Sequence, residues 1–177
     1  ASRRKDLCLY VVEEPDPARD RSVAVRRRIG FRYPDGNDSA FGRTSFDAEA
    51  LFWAEGSAYI LTKQHMGRRT LLYRLDFSTR ADVQVLSLVD EFEIGGMVTA
   101  ADATEDGSNL AVLTYGAVLV FTKPAGSDRY LSGTVRWLPI RAGQCEAVAF
   151  DGGRLVITNE DGELFEIGID RLRPLRR

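Results

Sequence analysis

The chain has 177 residues, of which 44% are hydrophobic and 28% charged, enough to bury one core but with room for only one ordinary domain. That composition excludes a disordered polymer, and two cysteines exclude a disulfide-stapled mini-protein. Basic residues number 24 and acidic residues 26, a net charge of -2, which argues against a partner held by neutralising many phosphates, so no nucleic acid is expected.

In chain order, charged residues 1–6 are followed by no apolar h-region, so no signal peptide is read there. Residues 7–12 read as a strand, 13–20 as a Pro- and Asp-rich loop, and 23–33 as a second strand ending at the turn Pro34-Asp35-Gly36. Arg26-Arg27-Arg28 lies in that strand, where alternation sends Arg27 to the opposite face and breaks up any basic patch.

Three segments then align. Glu49-Ala50-Leu51-Phe52-Trp53-Ala54-Glu55-Gly56 leads to Leu61-Thr62-Lys63; Asp102-Ala103-Thr104-Glu105-Asp106-Gly107 leads to Leu113-Thr114-Tyr115; Glu146-Ala147-Val148-Ala149-Phe150-Asp151-Gly152 leads to Ile157-Thr158-Asn159. The threonines lie 52 and 44 residues apart, and the carboxylates precede them by 13, 12 and 12. An acidic neighbour and Gly between apolar runs mark a hairpin. A third strand follows at 71–75, 117–121 and 164–167, and a fourth at 83–89 and 133–138. No amphipathic helix longer than two turns is visible, and the longest apolar runs fall far short of the roughly 20 residues of a membrane-spanning helix, so no membrane span is expected.

Four antiparallel strands per 40 to 50 residues describe a β-propeller blade. The expected fold is all-β: a single domain over 1–177 with a partial blade at 7–34 and blades at 47–94, 98–140 and 145–170. The count is 13 strands, about three to four blades of an incomplete ring. A first blade without its inner pair and a last blade without its outer strand leave open edges, so the chain is expected to be the remainder of a longer protein or to self-associate.

The run Phe46-Asp47-Ala48-Glu49-Ala50-Leu51, then Leu61-Thr62-Lys63, then Val98-Thr99-Ala100-Ala101-Asp102 with Glu105-Asp106-Gly107 and Thr114-Tyr115, and finally Cys145-Glu146-Ala147 with Asn159-Glu160, resembles a poorly characterised family of bacterial β-propeller proteins of phytase-like or esterase-like type. Members of that family are often exported, and the resemblance implies an upstream inner hairpin, ending in an Asp- and Gly-rich segment, that is missing from this sequence.

In an antiparallel hairpin, residues equidistant from the turn face each other, so each carboxylate is expected opposite its threonine. If innermost strands converge on one axis, Glu49, Asp102 and Glu146 gather at one channel mouth, with Lys63, Tyr115 and Glu160 around them as candidate ligand-binding residues. Converging negative charges favour shared protons or a bound cation, and oxygen ligands suit calcium better than zinc. Glu49, Asp102 and Glu146 are therefore the candidate metal ligands, with Asp47 a further one; no other cofactor is implied. The structural alternative is that each acid bonds its threonine hydroxyl or nearby backbone amides and locks its blade.

Other constellations fail. GxSxG, Walker and HExxH motifs are absent, and the lone His65, between Gln64 and Met66, reads as a loop residue. Cys8 and Cys145, 137 positions apart and without CxxC spacing, read as two free thiols or as one disulfide, the thiols favoured; Trp53 and Trp137 read as packing residues between blades, and the cationic tail from Arg171 as a solvated terminus. Two functions survive: a non-catalytic propeller that binds a small-molecule ligand or a protein partner at its mouth, and a calcium-dependent hydrolase of phosphate esters or lactones.

Overall fold

A computed structural model describes residues 6–34, 47–63 and 69–175. His65 and the end of the cationic tail lie outside them. Fifteen strands and two 3₁₀ turns make up the described residues, with no α-helix. They form four sheets. In the first, β1 (Cys8–Val12) pairs antiparallel with β2 (Val25–Arg32), and β6 (Val83–Val85) pairs parallel with β2. The second is a meander of β3 (Ala48–Ala54), β4 (Ser57–Thr62), β5 (Arg69–Asp76) and β7 (Ser87–Glu93). The third orders β8 (Val98–Ala103), β9 (Asn109–Thr114), β10 (Ala117–Thr122) and β11 (Thr134–Pro139), with β15 (Arg173–Pro174) added at its edge. The last holds β12 (Cys145–Asp151), β13 (Arg154–Asn159) and β14 (Leu164–Gly168).

Two features depart from the sequence reading. The single strand expected over 83–89 is two: the chain pairs with the first sheet as β6, turns at buried Leu86, whose N–H donates to the Arg32 carbonyl, and joins the second sheet as β7. A run of Val-Gln-Val-Leu-Ser-Leu-Val carries the right alternation for either sheet, so pattern alone does not reveal the switch. The other is β15, whose two residues are too few to leave a periodic signal.

Successive sheets stack face to face. Ile29 and Tyr33 of the first pack with Ala58, Ile60, Leu71 and Tyr73 of the second. Phe52, Tyr59, Leu61 and Leu72 share a core with Val112, Phe121 and Tyr130. Ala111, Leu113 and Val118 share another with Cys145, Leu155 and Ile157. The third sheet therefore buries both faces, and β9 reads as a continuous apolar run; the last buries one, and β13 alternates. The first strands stand side by side, β3 against β8 and β8 against β12. Cys8 and Cys145 are free thiols, the latter buried with its sulfur 3.2 Å from the Ala142 carbonyl. Arg27 does turn inward, donating to the Phe77 and Thr79 carbonyls.

Candidate functional site

Each of β3, β8 and β12 carries a β-bulge near its start, where one residue is extra to the ladder. Glu49 sits between Ala48, opposite Thr62, and Ala50, opposite Leu61; Thr99 between Val98, opposite Thr114, and Ala100, opposite Leu113; Glu146 between Cys145, opposite Asn159, and Ala147, opposite Thr158. A bulge re-aims its extra side chain away from the two sheet faces. The hairpin partners end at equivalent residues, Thr62, Thr114 and Asn159, and the next residue in each case is Lys63, Tyr115 or Glu160.

This register corrects the sequence alignment. Asp102 faces Ala111, not Thr114, because four residues, 105–108, separate the backbone-bonded Thr104 and Asn109 at the β8–β9 turn, where two residues close each of the other hairpins. Asp102 is bound elsewhere: its Oδ2 accepts the Phe150 N–H at 2.8 Å and ties the third sheet to the last. Thr99 is the true counterpart of the two glutamates, and Asn159, not Thr158, the counterpart of the threonines. Those residues do local work. Thr62 Oγ1 accepts the Leu71 N–H, Thr114 Oγ1 accepts the Ala117 N–H, and Asn159 donates to the Ala142 carbonyl and accepts from Glu163 N–H. Glu49 and Glu146 bond other partners than these residues.

What does come together is a chain of side chains across three sheets. Lys63 Nζ donates to Glu49 Oε2 at 2.5 Å and to the Tyr115 hydroxyl at 3.3 Å, and the Tyr115 hydroxyl donates to Glu146 Oε1 at 3.1 Å. The ammonium also lies 5.3 Å from the Tyr115 ring centroid. Backbone bonds hold the chain: Lys63 N–H donates to the Asp47 carbonyl, Val98 N–H to the Lys63 carbonyl, and Glu160 N–H to the Gln144 carbonyl. Asp47 thus contributes its backbone. The Glu160 side chain is exposed, and among the described residues no hydrogen bond joins it to the chain.

The electrostatics follow from this geometry. Lys63 is 8% exposed, and burial alone would pull its pKa down; the bonds to Glu49 and Tyr115 outweigh that and leave it above the ordinary lysine value. The bond from Lys63 favours the Tyr115 phenolate, but burial and Glu146 oppose it, and the phenol ends above its usual range. At neutral pH the middle of the chain is therefore an ammonium and a neutral phenol, set between the Glu49 and Glu146 side chains. Among the described residues, Thr99 Oγ1 is buried in the third sheet without a hydrogen-bond partner. Among the described residues no three of His, Cys, Asp and Glu group to hold a metal ion.

A second polar cluster, at the hairpin-turn end, was not visible in the sequence. Lys123 Nζ pairs with Glu55 at 2.6 Å and lies over the Tyr130 ring; Arg74 pairs with Asp128 at 2.6 Å. These residues line a surface hollow with Ser127 and Arg129. Its two ion pairs, and the Arg129–Asp90 pair beside them, lie within one pair of sheets, whereas the Lys63 chain joins three.

No family model matches the chain, and no curated protein does. Among solved structures, the computationally designed Ika4 protein is similar at a TM-score of 0.38 and 13% identity, over 71% of this chain and 93% of that one.

Proposed function

We propose that the four sheets are blades of a β-propeller and that the chain acts as a non-catalytic binding module, its polar mouth taking a small-molecule ligand or a group of a protein partner. The hydrogen-bonded chain Glu49–Lys63–Tyr115–Glu146 carries this reading. The equivalent positions that follow the hairpin ends hold the unlike side chains of Lys63, Tyr115 and Glu160, which is how a repeat scaffold builds a site. The side-by-side first strands support the propeller.

Glu49, Glu146 and Glu160 stand at these positions against the single ammonium of Lys63, so the mouth favours a ligand with positive charge and hydrogen-bond donors, such as a guanidinium. A calcium-dependent hydrolase would require Glu49 to exchange Lys63 for a cation; no observation favours it. The test is NMR of the Lys63 ε-methylene and Tyr115 ring signals during titration with N-acetyl-arginine amide and, separately, N-acetyl-glutamate. Saturable shifts with the arginine probe alone are expected. No shifts with either, or shifts with the glutamate probe alone, would refute the reading.

A further inference from the structure

The hollow at the hairpin-turn end lies between two charged surfaces whose signs interlock. β3 turns Phe52 and Ala54 towards the third sheet and Trp53, expected as packing between blades, the other way, where it touches Phe77 edge-on and stays 53% exposed. At the end facing the hollow, the second sheet presents Glu55 just past β3, Arg74 of β5 and Asp90 of β7, in that order across the sheet. The segment 123–132, which joins β10 to β11, answers with Lys123 on Glu55, Asp128 on Arg74 and Arg129 on Asp90. Acid, base, acid thus meets base, acid, base, and displacing the segment by one position would set like charges together.

The segment is held in two different ways. Tyr130 and Leu131 are buried in the core between the sheets, Tyr130 edge-on to Phe52 and Tyr59. The base beside them is pinched shut: a Cβ on Gly133 would lie 1.8 Å from the Thr122 carbonyl oxygen, so only glycine lets the two ends meet. Ends that meet beneath a short surface segment make an Ω-loop. Residues 124–129 belong to none of the apolar cores. Their local bonds are internal, from Ser127 N–H to the Pro124 carbonyl and from Arg129 N–H to Ser127 Oγ. Among the described residues, the polar contacts that join this stretch to the second sheet are the Arg74–Asp128 and Arg129–Asp90 pairs, and the hollow separates the two surfaces elsewhere.

These two pairs are open to solvent, with Arg74 41% and Arg129 62% exposed. Salt screens such pairs, since the reach of a charge falls from about 10 Å at about 0.1 M to about 3 Å at about 1 M. Their release leaves the anchors in place. Asp90 Oδ1 keeps the Ser132 hydroxyl and the Glu91 N–H, and the buried Lys123 keeps Glu55 and the Tyr130 ring.

We propose that residues 124–129 are a strap latched by ion pairs, which lifts from the second sheet as ionic strength rises and opens the hollow while Tyr130 and Leu131 stay docked. The strap involves the second and third sheets and no residue of the polar mouth.

Backbone nitrogen-15 relaxation of the unaltered protein at about 20 mM and about 1 M sodium chloride tests the proposal. Order parameters at Ser127 and Asp128 are expected to fall from about 0.85 to below about 0.6, with Tyr130 and Leu131 remaining near 0.85. Arg74→Gln should produce the same fall already at low salt. Values at Ser127 and Asp128 that move neither with salt nor with Arg74→Gln would overturn the proposal. So would a fall shared by Tyr130 and Leu131, which would show the whole segment loosening with the core instead of a strap opening from a fixed base.

Discussion

The third and last sheets begin with the same bulged hairpin yet differ in every outward property. In the third, β9 is buried from Leu110 to Thr114, because the second sheet covers one face and the last sheet the other. In the last, β13 alternates, with Leu155 and Ile157 inward and Arg154, Val156 and Thr158 outward. Its outer face closes with an Asp151–Arg154–Glu166 ion network in place of a neighbour. Hairpin register is set locally by the bulge and the turn; the burial pattern is set by who stands alongside. A repeat of this kind is therefore better recognised by its bulges than by its hydropathy.

Truncation should separate the two sheets most strongly. Leu113→Ala, in the fully buried β9, is expected to lose about 3 kcal/mol in urea denaturation, against under about 1 kcal/mol for Val156→Ala on the outer face of β13. Equal losses would mean that the last sheet's outer face is covered.

The polar chain comes next, because it spans the sheets being compared. Lys63→Met removes the buried ammonium but leaves the exposed Glu49 to water, and should cost about 1 kcal/mol. Lys63 and Tyr115 both titrate above their ordinary values of 10.5 and 10.0, so their stabilisation is complete below pH 10 and fades as pH rises through the folded values. The wild type should therefore lose stability more steeply above pH 10.5 than the Lys63→Met, Tyr115→Phe double variant does. Parallel curves would exclude the network as the cause.

Thr99→Val sharpens the contrast between bulges. With its hydroxyl buried and unpartnered, the isosteric change should raise stability by about 0.5 to 1 kcal/mol, and a loss of that size would show a partner for Thr99. The smallest effect is expected at the exposed β8–β9 turn, where bonds from Thr104 and Ser108 hold Asp106 at about 2. Its stabilisation is present above the ordinary value of 3.8 and disappears as pH falls towards 2. Asp106→Asn should remove that segment of the acid unfolding curve.

The hairpins were legible because turn glycines and strand alternation are local signals. Lys63 and Tyr115 follow strand ends whose spacing from the turn is rigid, which places them side by side; Glu160 follows the equivalent strand end, but its exposed side chain stays outside the hydrogen-bonded chain. Asp102 was misplaced because spacing was counted to the acid; two extra residues in its turn push the equivalent position back to Thr99, which shares no chemistry with Glu49 and Glu146. The bond from Phe150 N–H to Asp102, the chain switch at Leu86 and the exposure of Trp53 depend on neighbours in space, which spacing along the chain does not encode.

The central claim is that Glu49, Lys63, Tyr115 and Glu146 act as one unit across three sheets. A double-mutant cycle of Lys63→Met and Glu146→Gln, measured by urea denaturation at pH 7, tests it most directly, since these two residues communicate through Tyr115 and make no direct hydrogen bond. The account predicts a coupling of about 0.5 to 1 kcal/mol that collapses in a Tyr115→Phe background. Additivity within about 0.3 kcal/mol would contradict it.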